Sequence, residues 1–131
     1  MNVKTGVTSS VRKILFFRDA AMNRRCLIAA NGYFEWEKKG NKKGKREIRD
    51  TGGEILSLGG IYGEFEDKNG AIQLCFAILT SHAVAGISDV HNRMPVIIHK
   101  DKEEKWLDHE ERDIRVLKSV ISQYDKKLAM E

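Results

Sequence analysis

Proline is almost missing. Pro95 is the only one in 131 residues, against about 5% in an average protein, so turns must rest on glycine, asparagine and aspartate, and this one rigid position asks for a local explanation. Cysteine is also scarce. Cys26 and Cys75 are too few for a disulfide framework and lack the close spacing of a zinc knuckle, which points to a reducing, cytoplasmic setting. No apolar run nears the roughly 18 residues that cross a bilayer, and no charged-then-apolar leader with a cleavage site opens the chain, so neither a membrane span nor secretion is expected. Internal repeats and an interdomain linker are absent too. A length of 131 residues fits one domain around one core.

What is present describes a globular chain. Apolar residues make up 41% and charged ones 32%, with two Trp, three Tyr and five Phe, too much apolar material for a disordered segment. Lys and Arg number 23 against 19 Asp and Glu, a formal charge of +4. That balance favours polyanions without requiring them.

Ser10 can cap a helix from Val11 to about Asn23, with Val11, Ile14, Leu15, Ala21 and Met22 on one face. Two short apolar runs follow, Cys26 to Ala30 and Tyr33 to Trp36, separated by Asn31 and Gly32; they read as strands joined by a tight bend or bulge. Lys38 to Arg46 holds six basic residues with Gly40, Asn41 and Gly44, the composition of an exposed loop or hairpin tip. Ile55 to Phe65 and the nearly continuous apolar run Ala71 to Thr80 suit buried strands. Asp67-Lys68-Asn69-Gly70 between them is a hairpin-turn signal. Val96 to Ile98 predict a last short strand, begun by Pro95, whose missing N–H is tolerated there. Asp101 and Glu104 resemble a capping box for a C-terminal helical stripe through Leu107, Ile114, Leu117, Ile121, Tyr124 and Leu128, which the polar stretch Asp108 to Asp113 divides into two helices.

Two side chains draw attention as chemistry. Glu35 lies between Phe34 and Trp36, and alternation places it on the opposite sheet face from both rings. With the aromatics in the core it is an exposed acid, the reading the run favours by itself; with the aromatics outside it is turned inward. His91 stands in the polar loop Asp89 to Pro95, where a scaffold commonly presents functional groups, and an imidazole with a pKa near ~6.5 exchanges protons at neutral pH. The bland reading is an imidazole bonded to a neighbouring backbone group. No His or Cys pair has finger-like or HExxH spacing, so neither a metal nor another cofactor is expected.

Six landmarks in order resemble one family: Arg24-Arg25 leading into Cys26-Leu27-Ile28, Gly32-Tyr33-Phe34-Glu35-Trp36, Gly59-Gly60-Ile61-Tyr62, the strand ending Leu79-Thr80, His91-Asn92-Arg93-Met94-Pro95, and Trp106-Leu107-Asp108. The family is SRAP, the SOS response-associated peptidases, and the resemblance runs from about Asn2 to Asp108. It implies an α+β fold, a curved barrel-like and mostly antiparallel β-sheet with flanking helices, in a single domain over residues 1–131 that lacks its N-terminal part. It also implies a basic groove for single-stranded DNA containing abasic sites. In that family an N-terminal cysteine attacks the open-chain aldehyde of the abasic sugar through its amine and closes a thiazolidine through its thiol. By the resemblance Glu35 moves protons at the amine and imine, His91 protonates the sugar-ring oxygen, and Asn2 matches the family's asparagine. Lys4 stands where the family has an arginine, and with Arg93, Trp36 and Pro95 it is expected on the DNA side of the site.

The family's Met-Cys-Gly-Arg opening has no counterpart, since Asn2 follows Met1, and Cys26 and Cys75 sit inside apolar runs. Three functions of different classes follow: a member, or part of a member, of the abasic-site crosslinking family; a non-catalytic single-stranded DNA binder; or a Glu35/His91-dependent peptidase. Sheet surface bared by the missing piece would favour dimerisation.

Overall fold

The computed structural model describes residues 18–39, 41–121 and 124–131. Asn2, Lys4, the Ser10 cap and the first part of the expected helix lie outside them. Of that helix, residues 18–23 (α1) are helical, with Ala20 fully buried and the Asn23 amide donating to Asp19 Oδ1 at 2.8 Å.

Among the described residues eight strands follow in three antiparallel sheets. One sheet orders β1 (Arg25–Ala30), β4 (Leu56–Glu66) and β5 (Ile72–Ile78) as β1-β4-β5; a second orders β2 (Tyr33–Lys39), β3 (Lys42–Asp50) and β8 (Leu128–Met130) as β2-β3-β8; β6 (Thr80–His82) and β7 (Arg93–Pro95) form a ribbon. Two short helices, α2 (Glu103–Leu107) and α3 (Ile114–Val120), complete it. The α+β, mostly antiparallel reading holds, with open sheets among the described residues.

The first sheet is apolar because it is covered on both sides. Leu27, Ile61 and Ala77 pack with Leu79, Trp106, Leu117 and Val120, while Ile28, Leu58 and Ile78 pack with Ile48, Ile87, Met94 and Tyr124. Gly60 sits opposite both Cys26 and Ile78, and a Cβ there would stand 2.4 Å from Ile28 Cδ1 and 3.0 Å from Ala77 O, so any larger residue makes the Ile28 side chain move. The Asp67–Gly70 turn forms as expected: Asp67 Oδ1 accepts from the N–H groups of Asn69 and Ala71, and Gly70 takes the positive φ of 80°.

The expected bend at Asn31 and Gly32 carries the chain from one sheet into another. Four expectations are corrected. The run leading into β5 is not buried, because the cores end near Ile78 and the strand's first half overhangs them, leaving Ile72, Leu74 and Phe76 exposed with Tyr62 of β4 beside them. Pro95 ends β7 instead of opening a strand; residues 96–98 run on beside β4, with Gly59 N–H donating to Val96 O and Ile98 N–H to Ser57 O, both at 2.8 Å. Finally, Asp101 caps nothing, as a 3₁₀ turn over Lys100–Lys102 precedes α2, and Leu128 leaves the helical stripe to pair with Asp50 in β3. The division into two helices is as expected, α3 being capped by Asp113, whose side chain accepts the Arg115 N–H.

Candidate nucleic-acid site around Glu35 and His91

Strand β2 decides which way Glu35 faces. Tyr33 packs into the second core and Glu37 is buried, whereas Phe34 and Trp36 are about half exposed, at 50% and 51%. Period-two alternation therefore turns Glu35 inward with Tyr33 and Glu37, and the rings outward. The inward reading wins over the exposed acid, because Tyr33 rather than Phe34 or Trp36 fills the core. Glu35 is partly buried, and its Oε1 accepts the Trp36 N–H at 3.1 Å.

Three partners on that face were not singled out from the sequence. Arg46 lies directly across from Glu35, but its Nε bonds Glu37 Oε2 at 3.0 Å. The guanidinium thus serves the deeper carboxylate, and among the described residues Glu35 makes no ion pair. The Tyr33 hydroxyl is buried and has no hydrogen-bond partner among the described residues; burial first, and the Glu35 charge second, push its phenol above the usual range. Spacing of Tyr33, Glu35 and Glu37 at every second residue was the available signal.

His91 is exposed at the end of a loop folded by its own turns, with His91 N–H donating to Ile87 O at 3.1 Å and Ala83 N–H to Asn92 O at 3.0 Å. Its Nδ1 accepts the Arg93 N–H at 3.1 Å. The same Nδ1 stands 3.2 Å from Arg93 O, so in either tautomer this ring nitrogen is engaged by the loop's own backbone. Arg93 is committed to β6: its Nη2 donates to Thr80 O at 2.6 Å and to Thr80 Oγ1 at 3.2 Å. Pro95 is paired opposite Thr80 and fixes the end of the same ribbon.

These placements bring some expected partners together and separate others. Tyr33, two residues before Glu35, and Met94, three after His91, share the second core, so both candidate residues rise from one packed cluster, though no hydrogen bond joins them among the described residues. Trp36 leaves by the other face of β2 and does not line the same surface as Glu35. Cys26 is a packing residue whose thiol burial pushes up, which suppresses the nucleophilic thiolate. Among the described residues no three His, Cys, Asp or Glu side chains could hold a metal ion, and no helix is long and apolar enough to cross a membrane.

The model of the SOS response associated peptidase (SRAP) family matches residues 8–131, a range that begins after Asn2 and Lys4. Among curated proteins, the abasic site processing protein YoqW of Bacillus subtilis is 28% identical over 110 residues, covering 83% of this chain and 49% of that protein. The abasic site processing protein YedK of Escherichia coli is 30% identical over 108 residues, covering 82% and 46%; HMCES of Gallus gallus, of the same description, is 30% identical over 118 residues, covering 75% and 35%. The chain therefore spans half or less of these relatives' length. A crystal structure of a protein from Bacteroides thetaiotaomicron superposes with a TM-score of 0.77 at 30% identity, covering 87% of this chain and 51% of that one. A phage-related protein from Bordetella bronchiseptica shares the fold at a TM-score of 0.68 and 21% identity, covering 98% and 67%.

Proposed function

Because the chain belongs to the SRAP family, we propose that it acts on DNA in the damage response, binding single strands at abasic sites through the face that carries Glu35 and the loop that carries His91. The observation that supports this best is Glu35: a carboxylate turned inward, beside a guanidinium engaged elsewhere, remains free to shuttle protons. An acid in that state can deprotonate an attacking amine and protonate a departing oxygen. His91, whose Nδ1 is engaged by its own loop, would donate from Nε2 to the sugar-ring oxygen and release the aldehyde. By the resemblance Asn2 and Lys4 belong to the same function, and the Arg93 charge, the stiff Pro95 and, from the opposite face of β2, the Trp36 ring would serve the DNA strand.

Within residues 1–131 the cysteines are Cys26, inside β1, and Cys75, inside β5, and a thiol inside a strand has no α-amine beside it with which to close a thiazolidine. For these 131 residues tested alone the expected outcome is binding without a covalent product. On denaturing electrophoresis after incubation with an abasic oligonucleotide, no shifted band should persist. In anisotropy titrations affinity should fall about tenfold between about 50 and 200 mM salt, as phosphate contacts dictate. A persistent band would refute the first expectation, and salt-independent or absent binding the second.

A second copy of the chain would cover the overhanging row Ile72, Leu74 and Phe76, whose strand β5 is a sheet edge. Exposed apolar edge strands pair readily, and charge on them prevents it. Sedimentation should therefore show concentration-dependent dimers that Leu74→Lys with Phe76→Lys dissociates at least about tenfold; a wild-type monomer at every concentration would refute this.

A further inference from the structure

Two asparagines of this chain stand directly before glycine, Asn31 before Gly32 and Asn69 before Gly70, and the fold treats them differently. Such an asparagine can be attacked at its side-chain carbonyl carbon by the next backbone nitrogen, because glycine has no Cβ to crowd the approach. At Asn69 the turn holds that nitrogen. Gly70 N–H donates to Asp67 O at 3.0 Å, and Asp67 Oδ1 accepts from Asn69 N–H and Ala71 N–H on either side. Three consecutive amides are tied to one aspartate, and the turn must open before Gly70 reacts. Asn31 has no such restraint. It is exposed in the bend between Ala30, paired with Leu56 in one sheet, and Tyr33, paired with Ile48 in another. Among the described residues neither the Asn31 side-chain amide nor Gly32 N–H makes a hydrogen bond.

We infer that Asn31 is a site of spontaneous deamidation, and that its isoaspartyl product disturbs the entry to β2 whatever the protein binds. The Gly32 nitrogen gives its proton to solvent base and forms a bond to Asn31 Cγ. The bond from Cγ to the side-chain nitrogen breaks, and that nitrogen leaves as ammonia after taking up a proton, so a cyclic succinimide remains. Water then adds to one imide carbonyl. Opening at Cγ restores the ordinary main chain with aspartate at position 31, whereas opening at the main-chain carbonyl leaves the backbone running through Cβ and Cγ as isoaspartate. Both products add a negative charge, and isoaspartate also lengthens the main chain by a methylene. Gly32 cannot take up that length toward β3, where even a Cβ would lie 2.6 Å from Ile48 O. The start of β2 gives way instead, and Glu35 is carried on the same strand.

The two sites test each other within one unaltered molecule. The 131-residue chain is held in mildly alkaline buffer at physiological temperature, and its peptides are followed by mass spectrometry for the gain of NH2 becoming OH. The Asn31 peptide should convert at least about fivefold faster than the Asn69 peptide, the discount that one backbone hydrogen bond imposes. In urea strong enough to unfold the chain the two rates should converge, because the turn that shields Gly70 is gone. Isoaspartate is counted with an isoaspartyl O-methyltransferase and labelled S-adenosylmethionine. Aged chain carrying it at position 31 should melt at least about 3 °C lower than fresh chain. Asn31→Gln aged alongside should keep its melting temperature, and fresh Asn31→Asp, with the charge but not the methylene, should lose less than the aged chain does. Equal rates at the two sites in the folded chain, or faster conversion at Asn69, would overturn the assignment of the site. Unchanged melting in spite of isoaspartate at position 31, or an equal loss in Asn31→Asp, would overturn its effect on β2.

Discussion

Arg25→Met is expected to destabilise this domain by about 3–5 kcal/mol, a loss comparable to a large part of the 5–15 kcal/mol that holds an ordinary domain folded. The Arg25 side chain is buried and joins three separate pieces of backbone. Its Nε donates to Trp106 O at 2.6 Å, its Nη1 to Ala21 O at 2.7 Å, and its Nη2 to Asp108 O and Glu111 O. In the same place Trp106 Nε1 donates to Cys26 O at 2.9 Å, so the end of α1, the start of β1 and the segment after α2 meet at one guanidinium. Burial draws its pKa down, and the charges of Asp108 and Glu111 act against that. Methionine fills the volume but leaves those carbonyls unpaired, and each bond from a charged donor is worth about 1.5–3 kcal/mol when broken on one side. Arg25→Lys, with one compact ammonium in place of a planar fork, should retain under half of the effect. Thermal or urea unfolding measures both; a Met variant melting within about 3 °C of the parent would refute the assignment.

That role explains why an arginine pair precedes the first strand, which the sequence displayed without a reason. Other features were legible because their causes are local. The Asp67–Gly70 turn needs only an aspartate that accepts nearby amides and a glycine with positive φ. The hairpin tip was visible as a concentration of lysines that cannot be buried. What escaped depended on neighbours distant in sequence. Tyr33 is core and Phe34 is surface because the Ile48 pairing and the second cluster lie on one side of β2, and nothing within Tyr33-Phe34-Glu35-Trp36 says which. The apolar β5 run signalled a strand correctly but not its overhang, which depends on where the packing layers stop. Leu128 continued a helical spacing from Ile121 and Tyr124, yet the available edge of β3 captured it. In each case the local pattern specified the strand or stripe, and a longer-range contact chose its face or partner.

Gly32→Ala is the companion expectation, and it connects the fold to the site. Asn31 and Gly32 carry the chain from the first sheet into the second, and Gly32 passes so close to β3 that an added Cβ would lie 2.6 Å from Ile48 O and 3.3 Å from Arg49 Cβ. Gly32 is not among the positive-φ glycines, so close approach, not backbone handedness, demands glycine here. A carbonyl within a strand ladder cannot swing aside as a side chain can; the start of β2 must move instead, opening the Tyr33–Ile48 pair. Overpacking against backbone costs about 2–3 kcal/mol, or about 10 °C in melting temperature at this size. Glu35 is three residues further along the displaced strand, so weakened DNA binding should accompany the lost stability even where the variant is still folded. Gly44→Ala on the facing strand is the control: its Cβ would meet only Glu37 Oε2, at 4.0 Å, and it should change stability by less than about 0.5 kcal/mol. If the two variants melt together, the sheet crossing does not depend on that contact, and the orientation of Glu35 must be set elsewhere along β2.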